Sequence, residues 1–108
     1  MADKHYASIS VDLDSVVADT PAIPVGPYES GTFICPASMT QQNIEFHVSD
    51  TETGTYNQLA SATEVKVVIT AATQAYAYPI PASALDGVKW LKICPASDDV
   101  AGVRLTFN

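Results

Sequence analysis

Apolar and polar residues alternate with a period of two through much of this chain, and proline or glycine repeatedly cuts the alternation. The clearest case is 43–49, where Ile44, Phe46 and Val48 face one way and Glu45 and His47 the other. The same period predicts strands over 64–70, with Val65, Val67 and Ile69 on one face, and over 103–107, with Val103, Leu105 and Phe107 inward and Arg104 and Thr106 outward. Shorter extended pieces fall at 32–35, stopped by Pro36, at 56–59, at 74–80, ended by Pro79 and Pro81, and at 88–94, stopped by Pro95. Asp50–Thr55 reads as a turn carrying Gly54, and Ala82–Asp86 as one helical turn stopped by Gly87. Val, Ile, Thr, Tyr and Phe dominate these pieces, and no sustained 3.6-residue pattern appears. Many short strands at this spacing predict an all-β chain, a small antiparallel β-sandwich of jelly-roll or immunoglobulin-like type.

The first thirty residues read differently. Ile9, Val11 and Leu13 alternate with Ser10, Asp12 and Asp14 as one short strand, and then Pro21, Pro24 and Pro27 break the chain. Each proline fixes its own φ and biases its predecessor to extended geometry. The expected organisation is an extended N-terminal arm over 1–30, placed as an edge strand or on a partner, and a sandwich domain over 31–108.

Length and charge narrow the function classes. A chain of 108 residues suits one domain with one modest core. The net charge is −7, most of it in the arm, and the basic residues Lys4, Lys66, Lys89, Lys92 and Arg104 are scattered. A phosphate-tracking surface needs clustered Lys and Arg, so nucleic acid is not an expected partner, whereas a basic protein surface fits the acidic balance. No apolar run has the length of a membrane-spanning helix, and the N-terminus lacks a signal peptide's basic start and apolar centre. Synthesis in the cytoplasm, without a membrane partner, is the expectation.

Both cysteines lie in a repeated pentapeptide, Ile-Cys-Pro-Ala-Ser, at Ile34–Ser38 and Ile93–Ser97. Two isolated thiols cannot saturate a tetrahedral zinc, and His5 and His47 have no ligand spacing to them. The copies also differ in phase: Phe33 and Cys35 share a face, whereas Leu91 and Ile93 form the inward pair of the other strand and turn Cys94 away. A disulfide between Cys35 and Cys94 needs their Cα atoms within roughly 7 Å; two free thiols at strand ends are the favoured reading, with Cys35 inward and Cys94 outward. His47 reads as a solvated strand histidine. Asp12-x-Asp14 and Asp50-x-Glu52 are fragments of calcium loops without the ligand count or glycine an EF-hand needs. No nucleophile elbow, phosphate loop or HExxH motif is present, so neither an enzyme nor a cofactor is expected. Among the aromatics, Trp90 is expected in the core and Tyr76 or Tyr78 at an interface; grouped on one face, the three would suit a carbohydrate-binding or adhesion module.

From about Gly26 to the C-terminus the chain resembles a family of small virion structural proteins of tailed bacteriophages. Cys35-Pro36-Ala37-Ser38, a Thr40-centred linker and Ile44-Glu45-Phe46-His47-Val48-Ser49 resemble that family's "MPAAWT…LTFQVS" segment. Thr53-Gly54-Thr55-Tyr56-Asn57-Gln58-Leu59 is similar to its "GTWxxL" turn and strand, and the stretch from Ala77 to Ile93 to its "LDPAxFAGxRYLKV" segment. The resemblance implies a non-enzymatic β-sandwich on the capsid surface, a decoration or cement protein whose partner is the major capsid protein and which forms homo-oligomers, trimers or dimers. Candidate partner-binding residues are Asp12, Asp14, Ile23 and Tyr28 in the arm, with Tyr76 and Tyr78. The chain departs from the family pattern at Cys94, where a basic or polar residue is usual, which makes Cys94 a candidate exposed or interface thiol.

Overall fold

In a computed structural model, which describes residues 7–63, 65–74 and 76–108, the period-two segments become strands with their apolar sides together. They are β1 (Ala7–Leu13), β2 (Ile23–Pro24), β3 (Gly31–Ile34), β4 (Gln42–Ser49), β5 (Asn57–Gln58), β6 (Val68–Ala72), β7 (Ala77–Pro79), β8 (Trp90–Pro95) and β9 (Val100–Phe107). A short 3-10 turn over Ala82–Ala84 replaces the expected helical turn, and Gly87 beyond it has φ +71°, a conformation open to glycine. No helix among the described residues is long and apolar enough to cross a membrane.

The strands form two antiparallel sheets. One has the order β1-β9-β3-β7; the other has the order β2-β8-β4-β5, with β6 also on β4. Treating β5 and β6 as one interrupted strand, first pairs with last, second with second-last, and so inward: β1 with β9, β2 with β8, β3 with β7, β4 with β5 and β6. Successive members of this long ribbon alternate between the two sheets. That is the double-sheet jelly roll, which decides between the two sandwich types expected.

The core lies between the sheets. Phe33, Leu105, Val103 and Phe107 from one meet Ile44, Phe46, Leu91 and Ile93 from the other, all buried. Removing these apolar surfaces from water is the main favourable contribution to the fold. Residues 7–30, the described part of the expected arm, belong to this core. β1 runs along β9 from Ala7↔Phe107 to Leu13↔Val100, β2 pairs with β8, and Leu13, Ile23 and Val25 are buried in the common cluster. A boundary at residue 30 therefore divides one hydrophobic core, and the arm takes the edge-strand placement within its own chain.

Two bulges share one design. Between Val11 and Leu13, β1 advances two residues while β9 advances three, from Val103 to Val100. Between Gln42 and Ile44, β4 advances two while β6 advances three, from Ala72 to Ile69. The extra residues include Gly102, φ +73°, and Ala71, φ +51°. In each case the facing side chain accepts the backbone N–H of the left-handed residue: Asp12 Oδ1 from Gly102 at 2.9 Å and Asn43 Oδ1 from Ala71 at 2.8 Å. The expected 64–70 strand is found shifted toward the C-terminus. β6 starts at Val68, Val65 is 64% exposed, and only Ile69 of the three expected inward residues is buried; Glu64 lies outside the described residues.

Candidate partner-binding surface

The registers sort the loops by end. The end of β1, the β3–β4, β6–β7 and β8–β9 connections and both copies of the pentapeptide lie at one end of the sandwich. Asp12, Asp14, Tyr76 and Tyr78 group toward this end. Asp12 and Asp14 line a shallow depression of about 230 Å³ with Asp19 and Asp99. Most of these carboxylates already serve the backbone: Asp14 Oδ1 accepts from Val16 N–H at 2.8 Å, and Asp99 Oδ1 accepts from the Ser15 N–H and hydroxyl. Among the described residues, no three His, Cys, Asp or Glu side chains are placed to hold a metal ion.

Tyr76 is 62% exposed, and its ring centroid lies 6.4 Å from that of half-buried Tyr78, whose hydroxyl accepts the Thr73 N–H at 3.2 Å. The tyrosines sit at the β7 margin of their sheet and Asp12 at the β1 margin, three strand spacings apart, roughly 14 Å. They form two margins of one end. Ile23 and Tyr28 are placed otherwise. Ile23 is 5% exposed in the core, and Tyr28 stacks on Phe107 with centroids 5.5 Å apart. Their burial is already spent on this chain's own interior, which leaves Ile23 no side-chain surface for a partner.

The outer face of the β8 sheet corrects three expectations. Cys94 does turn away from the core cluster, opposite Glu45, yet it is only 1% exposed. The loop 14–20 folds over β8: Thr20 Oγ1 donates to the Ile93 carbonyl at 3.3 Å and Lys92 Nζ to the Val17 carbonyl at 2.9 Å, while Lys92 also sits 4.6 Å from the Tyr56 ring centre. Burial, then the Glu45 carboxylate, pushes the Cys94 thiol up to about 12; Lys92 opposes this and Asp14 adds to it. Cys94 is thus a covered thiol, free like Cys35, and burial raises the Cys35 thiol as well. His47, expected in solvent, is buried at 8% exposure beside Gln58, its Nε2 3.5 Å from Glu45 Oε1. Trp90, expected in the core, is half-buried and alternates onto this outer face. With Tyr76 and Tyr78 beside the other sheet, the three aromatics share no platform.

One surface had only a faint sequence signal, the free margin of β1. Asn108 exchanges backbone hydrogen bonds with Ser30, so the even-numbered residues of β9 bond toward β3 and Val103, Leu105 and Phe107 toward β1. Their partners are Ala7, Ile9 and Val11. The backbone groups of Ser8, Ser10 and Asp12 point outward, and among the described residues no strand pairs with them. No protein-family model, curated protein or solved structure matches the chain.

Proposed function

We propose that this chain is a non-enzymatic virion structural protein, a capsid decoration or cement protein that binds across neighbouring major capsid subunits and stabilises the shell. The jelly-roll strand order carries this reading, because double-sheet jelly rolls recur in viral capsid and lectin domains. The segments of the family resemblance fall in order on the units that build that roll. Residues 35–49 are the crossover into β4 together with β4, 53–59 are the turn into β5 together with β5, and 77–93 run from β7 through the 3-10 turn into β8. The most nucleophilic groups, Cys35 and Cys94, are buried with raised thiol pKa values, which suits a structural role better than a reactive one. Binding at symmetry-related sites would multiply individually weak contacts across the shell. The acidic depression at the end of β1 suits a basic surface patch on the capsid partner.

Quantitative mass spectrometry and labelling microscopy on purified virions test the reading. The expected result is many copies per particle, on the head. Absence from the particle, or presence on the tail alone, overturns it.

A further inference from the structure

The four sheet margins differ in how they are closed. β2 is two residues long and contains Pro24; β7 is three residues long and ends in Pro79. The margin beyond β4 is divided between two-residue β5 and bulged β6. Short length, proline and bulges are the usual devices against strand addition. β1 has seven residues, no proline and no lysine, and its one irregularity is at its far end.

We propose that β1 is a homodimer interface, on which the β1 of a second copy adds antiparallel about a two-fold axis through Ser10. The strand is self-complementary in this register. The outward backbone groups of Ser8, Ser10 and Asp12 meet those of Asp12, Ser10 and Ser8 of the other copy, and each opposed pair exchanges two hydrogen bonds. Registers shifted by one pair lose one of these three pairings, and a register centred on Asp12 keeps a single pairing and sets the two Asp12 carboxylates against each other. On the inner face, Ile9 of one copy comes opposite Val11 of the other. Both are half-buried at the margin and packed on the core, so pairing completes their burial and continues the apolar layer across the junction. On the outer face only Ser8, Ser10 and Asp12 meet, and no like charges are opposed. The two four-stranded sheets become one continuous sheet. This interface does not depend on the virion reading, since it concerns the isolated chain.

Light scattering and sedimentation of the purified chain over a concentration series should give twice the 11.4 kDa chain mass at the upper end. Ser10→Cys places its thiol on the two-fold axis, with Cα atoms about 5.5 Å apart, inside disulfide range, and mild oxidation should cross-link it. Ser8→Cys should not cross-link, because Ser8 lies about 13 Å along the strand from its own copy. The native thiols are buried and leave the readout clean. Ser10→Pro removes only an outward N–H and should yield a folded monomer. A monomeric wild type at every concentration, a trimer, or equal cross-linking of Ser8→Cys and Ser10→Cys overturns the proposal. A foreign strand as the natural occupant of this margin would give the first of these results.

Discussion

Exchanging the residues at the two left-handed bulge positions should move stability in opposite directions. At Ala71 the Cβ sits on a φ of +51°, where an L-residue carries roughly 1–2 kcal/mol of steric cost. Ala71→Gly removes that cost, while the greater freedom of glycine in the unfolded chain returns about 0.5–1 kcal/mol. The net expectation is a gain of about 0.5–1 kcal/mol. Gly102→Ala runs the other way. A Cβ built on Gly102, φ +73°, meets nothing within 4 Å, so the penalty is purely conformational and the expected loss is again about 0.5–1 kcal/mol. For a domain of this size each change moves Tm by about 2–8 °C. Urea unfolding followed by Trp90 fluorescence measures both, and the double variant should return near the wild type because the sites share no partner. An Ala71→Gly variant less stable than wild type, or a neutral Gly102→Ala, would refute the assignment of strain to these positions.

Gln42 supports the second pentapeptide. Its Oε1 accepts from the Ser97 N–H, the Ser97 hydroxyl and the Asp98 N–H, and its Nε2 donates to the Asp98 carbonyl. Gln42→Ala should cost about 2 kcal/mol by chemical denaturation, since net values near 1 kcal/mol per bond are partly recovered by water at the exposed turn; a loss under about 0.5 kcal/mol would show that the turn holds without it. Cys94 should resist thiol reagents in the native protein at pH 8 and react on unfolding; rapid native labelling would mean that the 14–20 loop does not cover it. Its folded pKa lies above the usual thiol value of 9.0, so the neutral thiol's contribution is full below pH 9 and is lost between pH 9 and about 12, as the unfolded thiol ionises first. Cys94→Ala should therefore flatten the alkaline fall in stability over that window, and an unchanged slope would count against the assignment.

The sequence was most legible where one strand faces the core on one side and forms its own regular ladder. The alternation of Ile44, Phe46 and Val48 located β4 within a residue, and that of Val103, Leu105 and Phe107 located β9. Features that depend on residues far away in the chain were not legible. Pattern alone turned Cys94 and His47 off the core face, but their burial comes from the loop 14–20 and from Tyr56 and Gln58 folding over that face. β2 has two residues, the second of them Pro24, too few to show a period, and its placement comes from β8. The Ala71 bulge has no sequence signal because alanine does not announce a positive φ, whereas Gly102 does. Asp12 was singled out for a partner as a residue of the expected arm. Its measurable role within the chain is to hold the Gly102 amide, and what lies free beside it is the backbone of its own strand.

A single open sheet margin among the described residues also bears on how far such molecules could grow. A sandwich with two open margins could add neighbours at both and extend into a filament, with each copy leaving a fresh site for the next. Here β2, β7 and the β5–β6 side are closed by brevity, proline or a bulge. The proposed strand addition at β1 would use the one long free edge among the described residues of each copy and leave none behind there, so association through it would be finite by construction. On the proposed pairing, the serines and the lone aspartate along that edge would set the largest assembly the sheets can form, as well as the place where assembly begins.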